Sequence, residues 1–246
     1  MNVGIIGQGF VGSAINNTLS RYHDVKTYDI DSTRCNSSLE SLMSHSDIVF
    51  VCVPTPMRKN GSCDTRILES AINSAYNEIK KQNPNPKHSD FLNSQKRKKV
   101  FVIKSTIPPG TTEKLSLAYP RINLCFSPEF LTEANAWDDF KNQNRIIVGG
   151  KGAKKVKQMF RKAFPKIPII ITKSQTAEMV KYFTNCFLAT KVTFANQMYN
   201  ICDAADVDYD KVCEYALYDN RIGKSHLAVP GPDGDMGFGG HCFPKD

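Results

Sequence analysis

Three glycines at positions 7, 9 and 12, set between an apolar run and an amphipathic one, constrain this chain more than any other feature. Residues 2–12 read Asn-Val-Gly-Ile-Ile-Gly-Gln-Gly-Phe-Val-Gly, a strand pattern running into Gly7-x-Gly9-x-x-Gly12. An amphipathic stretch follows from Ser13 to Tyr22, and a second strand, Val25 to Tyr28, ends at Asp29, 17 residues beyond Gly12. Spaced glycines alone say little. Strand, glycines, helix, strand and terminal acid within about 30 residues specify a dinucleotide-binding unit. Gly7 permits the tight turn, Gly9 lets a pyrophosphate approach the backbone, and Gly12 lets the helix lie close to the strand. The pyrophosphate then meets the helix N-terminus. Asp29 accepts hydrogen bonds from ribose hydroxyls and repels a 2′-phosphate, so NAD is expected rather than NADP.

The alternation of strand and helix continues. Asp47 to Val53 is a buried parallel strand closed by Pro54-Thr55-Pro56, and Asp64 to Lys81 reads as a helix. Gln82 to Arg97 is polar with two prolines and reads as a loop or short insertion. Strand Val100–Ile103 leads into the turn Lys104-Ser105-Thr106-Ile107-Pro108-Pro109-Gly110, placed where open α/β sheets bind ligands. Strand Ile122–Phe126 leads to Ser127-Pro128-Glu129-Phe130-Leu131-Thr132-Glu133, and Arg145–Gly149 and Ile167–Ile171 are the last strands. The fold class is therefore α/β, a Rossmann-like doubly wound parallel sheet over residues 1–175. A helix from Thr176 to about Ala205, free of Pro and Gly, opens a second, helical region over 176–246. Its apolar positions, among them Met179, Val180, Phe183, Phe187, Leu188 and Val192, exceed what one sheet covers. They predict a bridge between domains and a homodimer interface. Lys181 and Asn185, four apart, project from one face of that helix.

The last ten residues, Gly237 to Asp246, hold three glycines, Cys242 and Pro244, then Lys245-Asp246. Closely spaced glycines bring backbone N–H groups to a ligand, and a cysteine at their rim becomes a nucleophile once a cation or oriented amides lower its pKa. An ordinary buried cysteine in a glycine turn fits the same stretch.

Composition excludes several classes. Apolar content of 41% and charged content of 23% suit a globular chain, and no apolar run reaches a membrane span. The N-terminus lacks a basic, cleavable leader pattern, and the eight scattered cysteines form no C-x-x-C pair. Reduced thiols in a cytoplasm and no metal site are expected. The formal charge of +8 gathers in Lys96–Lys99 and Lys151–Lys166. Without interleaved aromatics these runs read as solvated faces, with neither nucleic acid nor membrane as partner, and the balance suits an anionic small substrate.

With these segments in hand the chain resembles the UDP-glucose/GDP-mannose dehydrogenase family from residue 1 to 246. The carriers are Gly7-Gln-Gly-Phe-Val-Gly12, Lys104-Ser-Thr-Ile-Pro108, Ser127-Pro-Glu-Phe-Leu131, Lys181-Tyr-Phe-Thr-Asn185, Arg221-Ile-Gly223 and Gly239-Gly-His-Cys-Phe-Pro-Lys-Asp246. The resemblance implies two NAD-dependent oxidations of a sugar C6 alcohol to a carboxylate, through a thiohemiacetal and a thioester on Cys242. It implies that Lys181 and Asn185 steady the C6 oxyanion, and that Lys181 favours the Cys242 thiolate. By the same resemblance Glu129 is the expected hydrolytic base, Thr106 is expected to place a water, and Asp246 to orient Lys181 and a water. Phe10, Val11, Thr55, Ser105, Thr106 and Glu133 are expected to join Gly7, Gly9, Gly12 and Asp29 around NAD, with Glu133 beside the nicotinamide. Phe130, Leu131, Gly237, Gly239 and Gly240 are expected to contact the substrate with Glu129, Lys181 and Asn185, and Arg221 to reach the site of an adjacent subunit. Phe243-Pro244 resembles the branch acting on UDP-glucose, against GDP-mannose or UDP-N-acetylhexosamine. The family continues into a UDP-binding domain that is expected to be absent here. Two rivals remain: a single-oxidation hydroxyacid dehydrogenase and a non-catalytic NAD-binding module.

Overall fold

The computed structural model describes residues 1–82, 98–132, 135–240 and 243–246. They form two compact units, Met1–Lys181 and Tyr182–Asp246. In the first, β1 (Asn2–Ile6), β2 (Asp24–Tyr28), β3 (Ile48–Val51), β4 (Val100–Ile103), β5 (Asn123–Phe126), β6 (Ile146–Gly150) and β7 (Ile169–Thr172) make one sheet. Its order is β2-β1-β3-β4-β5-β6-β7. The helices are α1 (Phe10–Leu19), α2 (Leu39–His45), α3 (Arg66–Gln82), α4 (Thr111–Ala118), α5 (Ala136–Lys141) and α6 (Ala153–Ala163).

The short apolar runs form strands because both faces of the sheet are covered. Along β3 and β4, Ile48, Phe50, Val100 and Val102 enter one core with Ala14 and Ile15 of α1 and Val156 and Phe160 of α6. Their neighbours Val49, Val51, Phe101 and Ile103 enter the other, with Leu42 of α2, Leu68 and Ile72 of α3 and Leu115 of α4. This period-two alternation fixes the register, since a slip of one residue would exchange the faces.

The doubly wound parallel sheet expected from the sequence is formed, with one antiparallel pair within it. β1 to β5 run parallel, but β6 pairs antiparallel with β5, and β7 follows β6 in parallel. The link between β5 and β6 contains α5, six residues long. The chain re-enters the sheet from the end at which it left.

Three helix starts also move: α1 begins at Phe10 rather than Ser13, α3 at Arg66 rather than Asp64, and the long helix at Ser174 rather than Thr176. The polar stretch after Gln82 lies outside the described residues through residue 97.

The division between units falls within α7 (Ser174–Ala204), a 31-residue helix. The second unit adds α8 (Tyr209–Ala216) and a small core of Ala195, Cys202, Tyr209 and Val229. There the Tyr209 hydroxyl donates to Leu227 O at 2.8 Å, and its ring meets Tyr199 edge-on. Among the described residues, no helix is long and apolar enough to cross a membrane, and no cluster of His, Cys, Asp or Glu is placed to hold a metal ion.

Candidate functional site

α1 carries the chain from β1 to β2 on one side, and the chain then returns to place β3 on the other. The strand order reverses there, and open α/β sheets present their ligand crevice at that point. A cleft of about 780 Å³ opens at these strand ends, lined by Gly7, Gly9, Asp29, Val53 and Pro54 among others. Gly7 has φ +93°, and a Cβ on it would lie 2.7 Å from Cys52 O. A Cβ on Gly12 would lie 1.8 Å from Gly7 O, so the approach of helix to turn excludes any side chain there. Gly9 faces open space and starts α1 without a side-chain cap. The first-turn amides of α1, where Phe10 and Val11 sit, are thus left to an anion. These features fit a bound dinucleotide pyrophosphate.

Asp29 stands at the end of β2. Its Oδ2 accepts from Gln8 N at 2.6 Å and its Oδ1 from Asp31 N at 3.0 Å. The carboxylate is thereby fixed at the mouth of the cleft, with lone pairs remaining for ribose hydroxyls. Thr55 Oγ1 donates to Thr106 O (2.8 Å) and Ser105 Oγ to Val53 O (2.6 Å), tying together the loops after β3 and β4. Glu133 and Cys242, expected beside the nicotinamide and as nucleophile, lie outside the described residues.

Beyond β4 and β5 the chain buries three charged side chains. Ile103 and Phe126 are register partners, so the residues that follow emerge side by side. Lys104 Nζ lies 3.0 Å from Glu129 Oε2 and donates to Pro128 O at 3.1 Å. Glu129 Oε1 accepts from Phe130 N (2.7 Å) and Leu131 N (3.1 Å). Lys181, 6% exposed, donates to Glu129 O at 2.5 Å. The Phe130 ring lies under Arg145 at 4.5 Å and under Lys181 at 5.7 Å. Cys52, beside this group, is an inert thiol: burial pushes it up to about 12, against the opposing effect of Lys104 and with a contribution from Glu129.

In the second unit Asn185, also 6% exposed, donates from Nδ2 to Asp246 Oδ2 at 2.5 Å. Lys245 forms an ion pair with the other oxygen. The Asp246 carboxylate is thus held by Asn185 and Lys245. Gly237 N donates to Asn196 Oδ1 at 2.9 Å. Gly237, Gly239 and Gly240 line a cavity of about 600 Å³ with Ser225, His226 and Asp233. Burial lowers His226 below its ordinary range, reinforced by Lys191. Arg221, expected to reach a neighbouring subunit, is exposed and forked onto Asp219 at 3.0 and 2.6 Å.

Sequence reasoning passed over four residues. Arg34 and Arg66 line the dinucleotide cleft, and Arg66, with Arg58, holds the Asp64 carboxyl well below the usual range. Lys104 opens a motif read as a turn and as a carrier of the family resemblance, with no role given to the lysine itself; it is buried, and a lysine closing a fully apolar strand was the available signal. Glu178, fully buried, accepts from Gly110 N at 2.6 Å and Thr112 N at 2.9 Å. It caps α4, whose own N-cap, Gly110, has no side chain to offer.

Residues 34–167 match the UDP-glucose/GDP-mannose dehydrogenase family, NAD binding domain, and residues 175–246 match that family's central domain. The UDP-glucose 6-dehydrogenase YwqF of Bacillus subtilis (strain 168) is 31% identical over 100% of this chain and 60% of its own length. A UDP-glucose dehydrogenase from the hyperthermophilic archaeon Pyrobaculum islandicum superposes with TM-score 0.79 at 28% identity, over 100% of this chain and 62% of that one. A UDP-D-ManNAc dehydrogenase from Pyrococcus horikoshii shares the fold, with TM-score 0.81 at 24% identity over 100% of this chain and 62% of its own. The chain spans at most about 60% of the length of these curated relatives.

Proposed function

The chain belongs to the UDP-glucose/GDP-mannose dehydrogenase family and has NAD as its cofactor, and on that premise we propose that the full-length protein oxidises UDP-glucose at C6 twice, to UDP-glucuronate. NAD, when bound, accepts hydride from C6 in each oxidation. Cys242 as thiolate bonds to the aldehyde carbon left by the first oxidation, and the carbonyl oxygen takes the electron pair. Lys181 and Asn185 stabilise that oxyanion, a charge that develops during reaction. After the second oxidation the sugar is held as a thioester. A water oxygen then bonds to its carbonyl carbon while its proton passes to Glu129. The C–S bond breaks, the acid leaves, and Cys242 returns as thiolate.

The observation that carries this reading is the seating of Lys181 against the backbone oxygen of Glu129 at 2.5 Å, beside the carboxylate of that residue. It gathers an oxyanion-binding cation and a candidate base at the carboxyl ends of β4 and β5. Phe243-Pro244 and the names of the relatives favour UDP-glucose among nucleotide sugars. Residues 1–175 serve as the NAD domain and 176–246 as the central domain. α7 forms the homodimer interface, and Arg221 completes the partner's site.

The test counts NADH released by the full-length protein per UDP-glucose, GDP-mannose and UDP-N-acetylmannosamine. Two per UDP-glucose are expected, and Cys242→Ala should permit at most alcohol–aldehyde interconversion. Two NADH at near wild-type rate from Cys242→Ala would refute the covalent route, and double oxidation of GDP-mannose alone would reassign the sugar.

A further inference from the structure

Lys104 has no part in the chemistry above, yet it is among the most deeply buried charges in the first unit, 5% exposed. We infer that Lys104 is the positioning residue for Glu129, holding the carboxylate in place for thioester hydrolysis; this rests on the function proposed above.

The geometry is specific. A carboxylate on a loop after a strand would be free to turn out toward solvent. Here Oε1 is held by the amides of Phe130 and Leu131, and Oε2 faces Lys104 Nζ at 3.0 Å. Lys104 Nζ is itself held by Pro128 O at 3.1 Å, one residue before the carboxylate it meets. The ammonium therefore clamps both the loop and its side chain. Both partners are nearly inaccessible, at 4% and 11% of side-chain surface, so water does little to screen the pair. Lys181 meets the backbone oxygen of the same residue, and Cys52 stays a neutral thiol. Lys104, which extends from the adjacent strand, brings its ammonium directly to Oε2 of the Glu129 carboxylate. Removing it takes away the cation that meets that oxygen, and a buried carboxylate that loses an ion-pair partner reorients or takes up a proton. A base displaced by 1 Å loses about 10²-fold in rate.

The experiment measures steady-state kinetics of the full-length protein for wild type, Lys104→Met, Lys104→Arg, Glu129→Gln and the double variant Lys104→Met/Glu129→Gln. Intact-mass analysis records sugar carried on Cys242. Lys104→Met should lower kcat about 10²-fold with KM for both substrates within about threefold, and substrate-derived mass should accumulate on the protein. Lys104→Arg, which retains the cation, should recover at least tenfold of that loss. In the Glu129→Gln background the same Lys104→Met change should cost less than threefold, because no carboxylate remains to be positioned.

Wild-type kcat in Lys104→Met would overturn the inference, as would an equal loss in both backgrounds. If Lys104→Met does not fold, the double variant against Glu129→Gln decides: parity within threefold supports it, and a further tenfold loss refutes it. Wild-type protein that releases two NADH alongside indifferent Lys104 variants sinks this inference alone. Wild-type protein that releases none sinks the proposed function, and this inference with it.

Discussion

Glu178 offers the most direct test of how the long helix is anchored. α4 begins at Gly110, which supplies no cap, and its amides at Gly110 and Thr112 are instead held by a carboxylate 66–68 residues later in sequence. At 0% exposure water cannot replace that carboxylate without entering the core. Hydrogen bonds to a charged acceptor contribute about 1.5–3 kcal/mol each. Two of them give roughly 3–6 kcal/mol for Glu178→Ala, and partial hydration of the space left behind brings the expectation to about 3–5 kcal/mol. Glu178→Gln keeps one acceptor oxygen and turns an NH₂ toward a backbone donor, so about half of that loss is expected. In urea, at a slope of about 2 kcal/mol/M, Glu178→Ala should lower the midpoint by roughly 2 M. The assay is urea unfolding followed by circular dichroism, with the slope checked for constancy. A loss below about 1 kcal/mol at unchanged slope would show that the two hydrogen bonds do not anchor α7, and the reasoning would fail.

Three further outcomes can be checked. Asp29→Ala should weaken NAD roughly 10–100-fold by calorimetry and reduce its preference over NADP, since hydrogen bonds to a carboxylate are worth about 1.5–3 kcal/mol; an unchanged NAD/NADP ratio would contradict the assignment. His23 donates from Nε2 to Met159 O, while its buried Nδ1 has no partner among the described residues. Burial therefore lowers its pKa below the ordinary 6.5, and the unfolded chain binds the extra proton. Stability should be full above about pH 6.5 and fall below it by at most about 1.4 kcal/mol per pH unit, a slope that His23→Gln flattens; parallel pH profiles for the two proteins would refute this. Phe183 and Phe187 are 72% and 58% exposed and stack on one face of α7, so Phe183→Glu with Phe187→Glu should convert dimers to monomers in sedimentation, whereas a monomeric wild type would place the interface elsewhere.

The sequence by itself determined whatever depends on neighbours along the chain. The βαβ unit was legible because Gly7, Gly9, Gly12 and Asp29 act within one turn, one helix and one strand, where residue type dictates backbone geometry. The buried strands were legible as apolar runs, and α7 as 31 residues without a breaker. Tertiary structure decided the rest. The direction of β6 depends on its pairing with β5, which no apolar run records. The Lys104–Glu129 clamp depends on β4 and β5 being register partners, and the Glu178 cap on α7 returning to α4. Asp29 read as a ribose ligand, but only the fold shows its carboxylate fixed by the amide of Gln8 in the glycine turn. Buried charges cannot be assigned partners from sequence because their cost is met by whichever groups the packed chain brings within about 3 Å, and that is settled only when the strands are in register.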